Sequence, residues 1–212
     1  MTPDQIATLK LWFRADLGYN SGTKTWTCQK SGRTIVSSGT PTQTTEASLN
    51  GQAVIQCGAG GGDTFVLTPS SYGVISAPFT WLGVFRITSG TAQYNIQYST
   101  DNTSQFMVTP TTTALYCTTL GSGQVSTSTT SDLGTTPHVA MFGTLANVAS
   151  LDGVSLTHTQ INSTCTINSP EANFGYTVNA HQMAEIILAN NIDDLLILAP
   201  YIKSRYGLTL SI

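Results

Sequence analysis

Charge is what this 212-residue chain has least of. Lys, Arg, Asp and Glu together make up 9% of it, against roughly 25% in an average soluble domain. Ser, Thr, Asn, Gln and Gly fill the gap, which predicts a polar but largely uncharged surface. The net charge is −3 and the few cations are scattered. That excludes nucleic acid as the main partner, because phosphate binding needs clustered Lys and Arg. No run of about 18 apolar residues occurs, so no membrane partner is expected. The first residues lack a basic region followed by an apolar core, which predicts a protein made and folded in a cytoplasm.

Close metal-ligand pairs are missing as well. Cys28, Cys57, Cys117 and Cys165 are far apart, and His138, His158 and His181 form no short-spaced pair with them. Zinc needs such pairs, and disulfides are not expected without a secretion signal. The chain is therefore expected to use no metal and no other cofactor.

What is present is a dense series of short β-signals. Phe79–Thr88 (FTWLGVFRIT) is continuously apolar, β-branched or aromatic, and predicts a central strand buried on both faces. Leu9, Leu11 and Phe13 alternate with Lys10, Trp12 and Arg14 as a half-buried strand does. Gln93–Ser99 (QYNIQYS) alternates and reads as the hairpin partner of Phe79–Thr88. Asn50-Gly51 and Asp152-Gly153 mark tight turns. Gln43–Ala47 reads as polar linker. Ten or more short strands with frequent turns, and helix only at the two ends, predict an all-β antiparallel two-sheet sandwich or jelly roll, as one domain over residues 1–212. Trp12, Trp26 and Trp81 are expected in the core.

The closing stretch changes period. Glu185–Ala189 is an Ile-rich apolar run, a candidate buried strand. Asn190 and Asn191 break it, and Ile192, Leu195, Leu196, Ala199, Ile202 and Tyr206 then recur at helical spacing. Asn191 can cap the helix start, with Asp193 and Asp194 in the first turn, and Gly207 can end it. Pro200 must kink this helix or split it in two. Such a helix packs across a sheet. At the other end, Thr2, Pro3 and Gln5 form a helix-start signal for a turn or two.

The order of these segments carries a resemblance. LWFRADLG, the W-x-x-x-x-SG of Trp26–Gly32, LNGQAVIQ, FTWLGVFRI, PHVAMF followed by SLDGV, then AEIIL and a helix ending in RYGL look like the concanavalin A-like lectin/glucanase sandwich. The closer likeness is to the laminin-G-like form common in virion proteins of tailed bacteriophages and in bacterial surface proteins. It spans nearly the whole chain. The resemblance implies two facing antiparallel sheets, with the closing helix over one end. The chain departs from the family where Cys28 and Gln29 replace an expected carboxylate, and where Cys57-Gly58-Ala59 replaces an apolar-Asp-Gly. Both changes remove carboxylates that could hold calcium.

Chemistry is sparse. Glucanases of this fold carry ExDxE on one strand, whereas Glu46, Glu171 and Glu185 have no acidic neighbour two positions away, so a glycosidase is not expected. No G-x-S-x-G accompanies the many serines, and His138 and His158 read as structural or solvated. Gly58–Asp63 (GAGGGD) lacks the G-K-[ST] of a phosphate loop and reads as a strand connection, with a calcium role for Asp63 unsupported by neighbouring carboxylates. A sugar site needs an aromatic with amides beside it. Tyr94 and Tyr98 with Asn95 and Gln97 fit that description, and Tyr72 and Tyr116 are further candidates. The loops Gly58–Asp63, Gly90–Gln93 and Gly121–Thr130 would frame such a site.

Two functions follow as expectations, neither enzymatic. One is a virion structural protein of a tailed phage, foremost a capsid decoration protein. Its partners would be the major capsid protein or other virion proteins, and a second copy of itself. The other is a lectin-like module that recognises a receptor glycan from a tail or capsid position.

Overall fold

The computed structural model describes residues 1–58, 63, 65–67, 75–76, 78–88, 94–100, 105–110, 115–120, 133, 135–143, 149–156, 166–167, 172–177 and 180–210. For residues 66–67, 76, 94–100, 105–110, 115–120, 166–167 and 172–177 it describes the backbone alone. A 3-10 turn at Pro3–Gln5 leads into β1 (Leu9–Arg14), β2 (Tyr19–Asn20), β3 (Thr25–Thr27), β4 (Thr34–Ser37) and β5 (Thr42–Glu46). A second 3-10 turn, Ala47–Leu49, precedes β6 (Gln52–Cys57), β7 (Phe65–Leu67), β8 (Ile75–Ser76), β9 (Thr80–Ile87) and β10 (Tyr94–Thr100). Then come β11 (Gln105–Pro110), β12 (Leu115–Leu120), β13 (Pro137–Gly143), β14 (Ala149–Leu151) and β15 (Val154–Ser155). The last strands are β16 (Thr166–Ile167), β17 (Ala172–Thr177) and β18 (His181–Ala189), followed by helices at Ile192–Leu196 and Ala199–Tyr206.

The fold is an antiparallel two-sheet sandwich. The first sheet runs β15-β14-β13-β9-β18-β6-β5, with β1 also on β18; the second runs β12-β11-β10-β17-β7-β4-β3-β2. β9 lies between β13 and β18, the central position its apolar sequence predicts. With both its edges taken, it cannot pair with β10. The chain crosses over instead, and β10 pairs with β11 and β17 in the second sheet. The expected hairpin between Phe79–Thr88 and Gln93–Ser99 is therefore replaced by a sheet-to-sheet crossing.

Two layers of side chains hold the sandwich. Between the sheets, Phe13, Trp26, Phe65, Trp81, Phe85 and Ile186 belong to one buried cluster. Trp26 has Phe13 and Phe65 rings at centroid distances of 5.3 and 5.5 Å. Gly83 leaves room for the indole of Trp81, since a Cβ there would lie 2.2 Å from the ring. On the opposite face of the first sheet, Trp12, Leu82, Met141 and Ile187 pack against Leu195, Leu198 and Ile202 of the closing segment. The helix thus covers the outer face of a sheet, not an end of the sandwich as the family resemblance implies. Alternation places these two sets on opposite faces.

The closing segment splits at the proline. Asn191 accepts from the Asp194 amide at 3.0 Å and caps the first helix. Ile197 ends that helix, Leu198 opens the second, and Pro200 sits at its start, where the missing N–H is no loss. Gly207 stops the second helix at φ +74°, its N–H on the Lys203 carbonyl at 3.0 Å. At the N-terminus, the Gln5 side chain accepts from the Thr2 amide at 2.9 Å, the back-reaching half of a capping box.

Gln43–Ala47, read from sequence as linker, is not one: all but Ala47 belong to β5, an edge strand along β6, and Ala47 opens the 3-10 turn that follows. Thr42–Thr45 are exposed, so no apolar alternation marks the strand; its backbone pairing defines it.

Candidate functional site

Strand β18 has an uncommon environment. One edge pairs with β9 along nearly its whole length. The other edge is shared: His181–Met183 pair with β6, while Glu185–Ala189 pair with β1. The sheet forks where β6 and β1 diverge. At that vertex β18 carries a bulge between Met183 and Glu185, and the Ala184 carbonyl accepts from the Ala15 amide at 2.9 Å. A second irregularity lies between Leu9 and Leu11 of β1. It puts Leu9 with Trp12 on the helix side while Leu11 and Phe13 face the other sheet. Simple alternation would have kept Leu9 with Leu11. Bulges turn side chains in this way and gather near functional positions.

The bulge delivers Glu185 into the layer beneath the second closing helix, fully buried. A buried carboxylate is costly unless donors surround it. Three side chains supply them. Trp12 Nε1 donates to Oε1 at 2.5 Å, Tyr201 Oη lies 2.9 Å from both oxygens, and Tyr206 Oη donates to Oε2 at 2.7 Å. Burial pushes the carboxyl above its ordinary value, and the three donors pull it only part of the way back. Burial together with the Glu185 charge pushes both tyrosine hydroxyls up.

Around this centre lies a belt of charge at the surface. Arg14 Nη1 reaches Tyr201 Oη at 3.4 Å, and its Nε pairs with Asp16 at 2.7 Å. Arg205 Nη2 holds the other Asp16 oxygen at 2.7 Å, while its Nε donates to Tyr206 Oη at 3.1 Å. Burial alone would raise Asp16, but Arg14 and Arg205 outweigh it and hold the carboxyl below its ordinary value. The guanidiniums also stack, Arg14 over Trp12 at 5.4 Å and Arg205 over Tyr206 at 5.3 Å.

Two clefts open beside the fork. One, of about 440 Å³, is lined by Met1, Gln52, Pro200, Tyr201, Ser204 and Arg205. The other, of about 470 Å³, is lined by Asp16, Gln43, Thr44, Thr45 and Ala53. The Asp16–Arg205 ion pair joins a wall of one to a wall of the other. Gln43 spans the fork, its amide donating to the Ala15 carbonyl. Both clefts are shallow and open to solvent.

Tyr94, Asn95, Gln97 and Tyr98 fall on β10, opposite Thr177, Tyr176, Phe174 and Asn173 of β17. Their side chains lie outside the described residues, as does that of Tyr116; Tyr72, His158, Cys165 and most of the three expected loops lie outside them altogether. The strand thus brings the four candidates together along one backbone, away from the fork. Asp63 is engaged by the chain itself: its oxygens accept from the Gly58 amide at 2.6 Å and the Thr40 amide at 2.5 Å. Cys28 and Gln29 have comparable duties. The thiol accepts from the Trp12 amide at 3.4 Å, and the Gln29 amide donates to the Thr27 carbonyl at 2.9 Å. His138 reads as structural here too, with Nδ1 2.6 Å from Asp152 and Nε2 2.8 Å from the Leu133 carbonyl. No group of metal-ligating side chains occurs among the described residues.

The fork site was not predicted from sequence. One signal pointed to it: Glu185 is the single charge in the run from Met183 to Ala189, and a carboxylate in a buried strand demands donors nearby.

No protein-family profile and no curated protein sequence matches the chain. Solved structures do. The binding domain of Paraclostridial Mosquitocidal Protein 1 superposes with a TM-score of 0.69 at 7% identity, over 94% of this chain and 53% of that one. A Trypanosoma rangeli sialidase in complex with sialic acid gives 0.65 at 10% identity, over 93% of this chain and 33% of the sialidase. A botulinum neurotoxin type C structure, described by its interaction with two ganglioside molecules, gives 0.63 at 12% identity, over 92% and 51%. This chain spans about half of the toxin chains and a third of the sialidase. At such identities the likeness is one of fold.

Proposed function

We propose that this chain is a non-enzymatic, lectin-like sandwich of the laminin-G-like kind that recognises glycans. The observation that carries the reading is the pair of clefts at the fork. Their walls combine a tyrosine, amides, hydroxyls, one guanidinium and one carboxylate, the mixture that binds a molecule covered in hydroxyls. Their floor is rigid, because Tyr201 and Arg205 sit on a helix tied to the sheet through Glu185 and Asp16. Such preorganisation lowers the ordering cost of binding. Glu185 does not suit catalysis: it is fully buried, and both oxygens are occupied by protein donors. The neurotoxin's gangliosides and the sialidase's sialic acid lend support to a sugar ligand on this fold.

A glycan array read with the wild-type chain and with Arg205→Ala tests the proposal. Binding that falls at least about tenfold in the variant supports the fork. Binding that survives there but disappears with Tyr94→Ala or Tyr98→Ala moves the site to the second sheet. An array without any specific signal overturns the proposal.

A second reading, a capsid decoration protein on a tailed-phage virion, is favoured by the 9% charge content and by the segment order that resembles virion sandwiches. An uncharged polar surface suits broad contact with capsid subunits in many copies. Quantitative mass spectrometry on purified particles tests it. Hundreds of copies per particle fit a head lattice, a handful fits a tail or vertex, and absence removes the virion from the reading.

A further inference from the structure

The two clefts abut at a single ion pair. Arg205 lines one and Asp16 lines the other, and the two side chains meet at 2.7 Å. We infer that they are consecutive subsites for one linear, neutral oligosaccharide that crosses the Asp16–Arg205 pair. This rests on the glycan-binding reading and names the ligand class.

Two features of the fork argue for length. Each cleft is shallow, and neither encloses a ligand. Affinity must then come from two modest contacts linked through one chain, where the second contact is intramolecular and gains from effective concentration. The chemistry of the two clefts also differs in a way that suits different parts of a sugar chain. The first offers Tyr201, whose hydroxyl is held by Glu185 at 2.9 Å so that the ring cannot swing away. Ser204 and Gln52 stand beside it. Tyrosine offers an apolar face to a sugar ring and supplies contact area at low entropic cost. The second offers a carboxylate, an amide and two threonine hydroxyls, and the threonines are exposed. That set suits the hydroxyls of a sugar.

Neutrality follows from the way these charges are paired. Asp16 carries one negative charge and sits between Arg14 and Arg205. Each guanidinium directs N–H groups at Asp16 and at a tyrosine hydroxyl. An acidic sugar would have to break that pairing, and would meet the Asp16 carboxylate in the second cleft. A neutral chain can lie across the closed ion pair and hydrogen-bond to its edge.

The test is isothermal titration of the full chain with length-graded neutral oligosaccharides, one to six units of glucose, galactose or N-acetylglucosamine repeats, with sialylated and sulfated counterparts beside them. Ser204→Trp fills the first cleft and Thr44→Trp the second. Both positions are exposed, so both variants keep the wild-type melting temperature, and Ser204→Arg and Thr44→Arg repeat the block with another side chain. The expected result is an affinity that rises at least about tenfold with length and then levels off. Either block alone should return the long probe to the affinity of the short one. A single sugar that binds as tightly as the longest probe, or a block at Thr44 without effect, overturns the two-subsite inference and leaves a one-cleft lectin. Tighter binding of the acidic series overturns neutrality. No binding of any probe overturns the inference and the glycan reading together.

Discussion

The first sheet is packed on both faces, and the two faces use different physics. Between the sheets the buried cluster is almost wholly apolar, with Trp26, Phe13 and Phe65 in ring contact. Under the closing helices the cluster is equally buried but surrounds a carboxylate. The inter-sheet layer is non-directional: any residues of suitable volume on the inward alternation fill it. The helix-side layer is directional, since Glu185 has to meet Trp12, Tyr201 and Tyr206 in one geometry. That geometry fixes where the second closing helix lies along the sheet. It also sets the positions of Tyr201 and Arg205 at the clefts. The first face is packed by volume, and the second adds specificity of placement.

The comparison can be broken most severely between the sheets. Trp26→Ala removes the ring that touches both Phe13 and Phe65, together with the indole donor to the Arg14 carbonyl at 3.0 Å. A loss of about 4 kcal/mol is expected in urea unfolding, with the shape of the fork clefts retained in whatever fraction stays folded.

The helix-side face should respond less in magnitude but in a different manner. Glu185→Ala leaves the Trp12, Tyr201 and Tyr206 donors without their acceptor, for a cost of about 3 kcal/mol. Glu185→Gln keeps the shape and isolates the proton. Burial raises the folded-state carboxyl, so the folded chain keeps a proton that the unfolded chain has lost. The contribution of Glu185 to stability is thus fullest below the ordinary carboxylate value. It declines as pH rises through the window up to the raised folded value. Asp16 and Glu46 are both held low, so their contributions are lost as pH falls. They are common to both proteins and cancel in the difference. Wild-type minus Glu185→Gln unfolding free energy, followed by urea titration from about pH 4 to pH 8, should fall with rising pH. A flat difference would mean that the three donors fully offset burial.

The smallest effect sharpens the same contrast. Asn191→Ala removes only the cap of the first closing helix and should cost about 1 kcal/mol. Because Glu185 holds the second helix independently, hydrogen exchange should speed up in residues 192–196 and stay slow at Tyr206.

Local rules made much of this legible. The split at Pro200, the Asn191 cap, the Gly207 stop and the central place of Phe79–Thr88 each depend on a few neighbouring residues, and each is present. The partner of Gln93–Ser99 was misread because strand pairing is non-local and both edges of β9 were already filled. Gln43–Ala47 reads as linker because an exposed polar edge strand has no alternation to show. The fork escaped for a related reason. A bulge adds one residue without a signature of its own, so the side on which Glu185 falls cannot be counted from its neighbours.

By itself, the sequence determined an all-β antiparallel sandwich closed by a strand, a turn and a broken helix. Period, turn residues and caps act within a few residues and need no knowledge of the rest. Only the tertiary structure decided that β6 and β1 share one edge of β18, that Glu185 is buried beneath the second closing helix, and that Asp16, Gln43, Tyr201 and Arg205 meet beside that fork. These residues are separated by up to 189 positions, from Asp16 to Arg205, and what brings them together is the pairing of distant strands and the cost of leaving a buried carboxylate without donors.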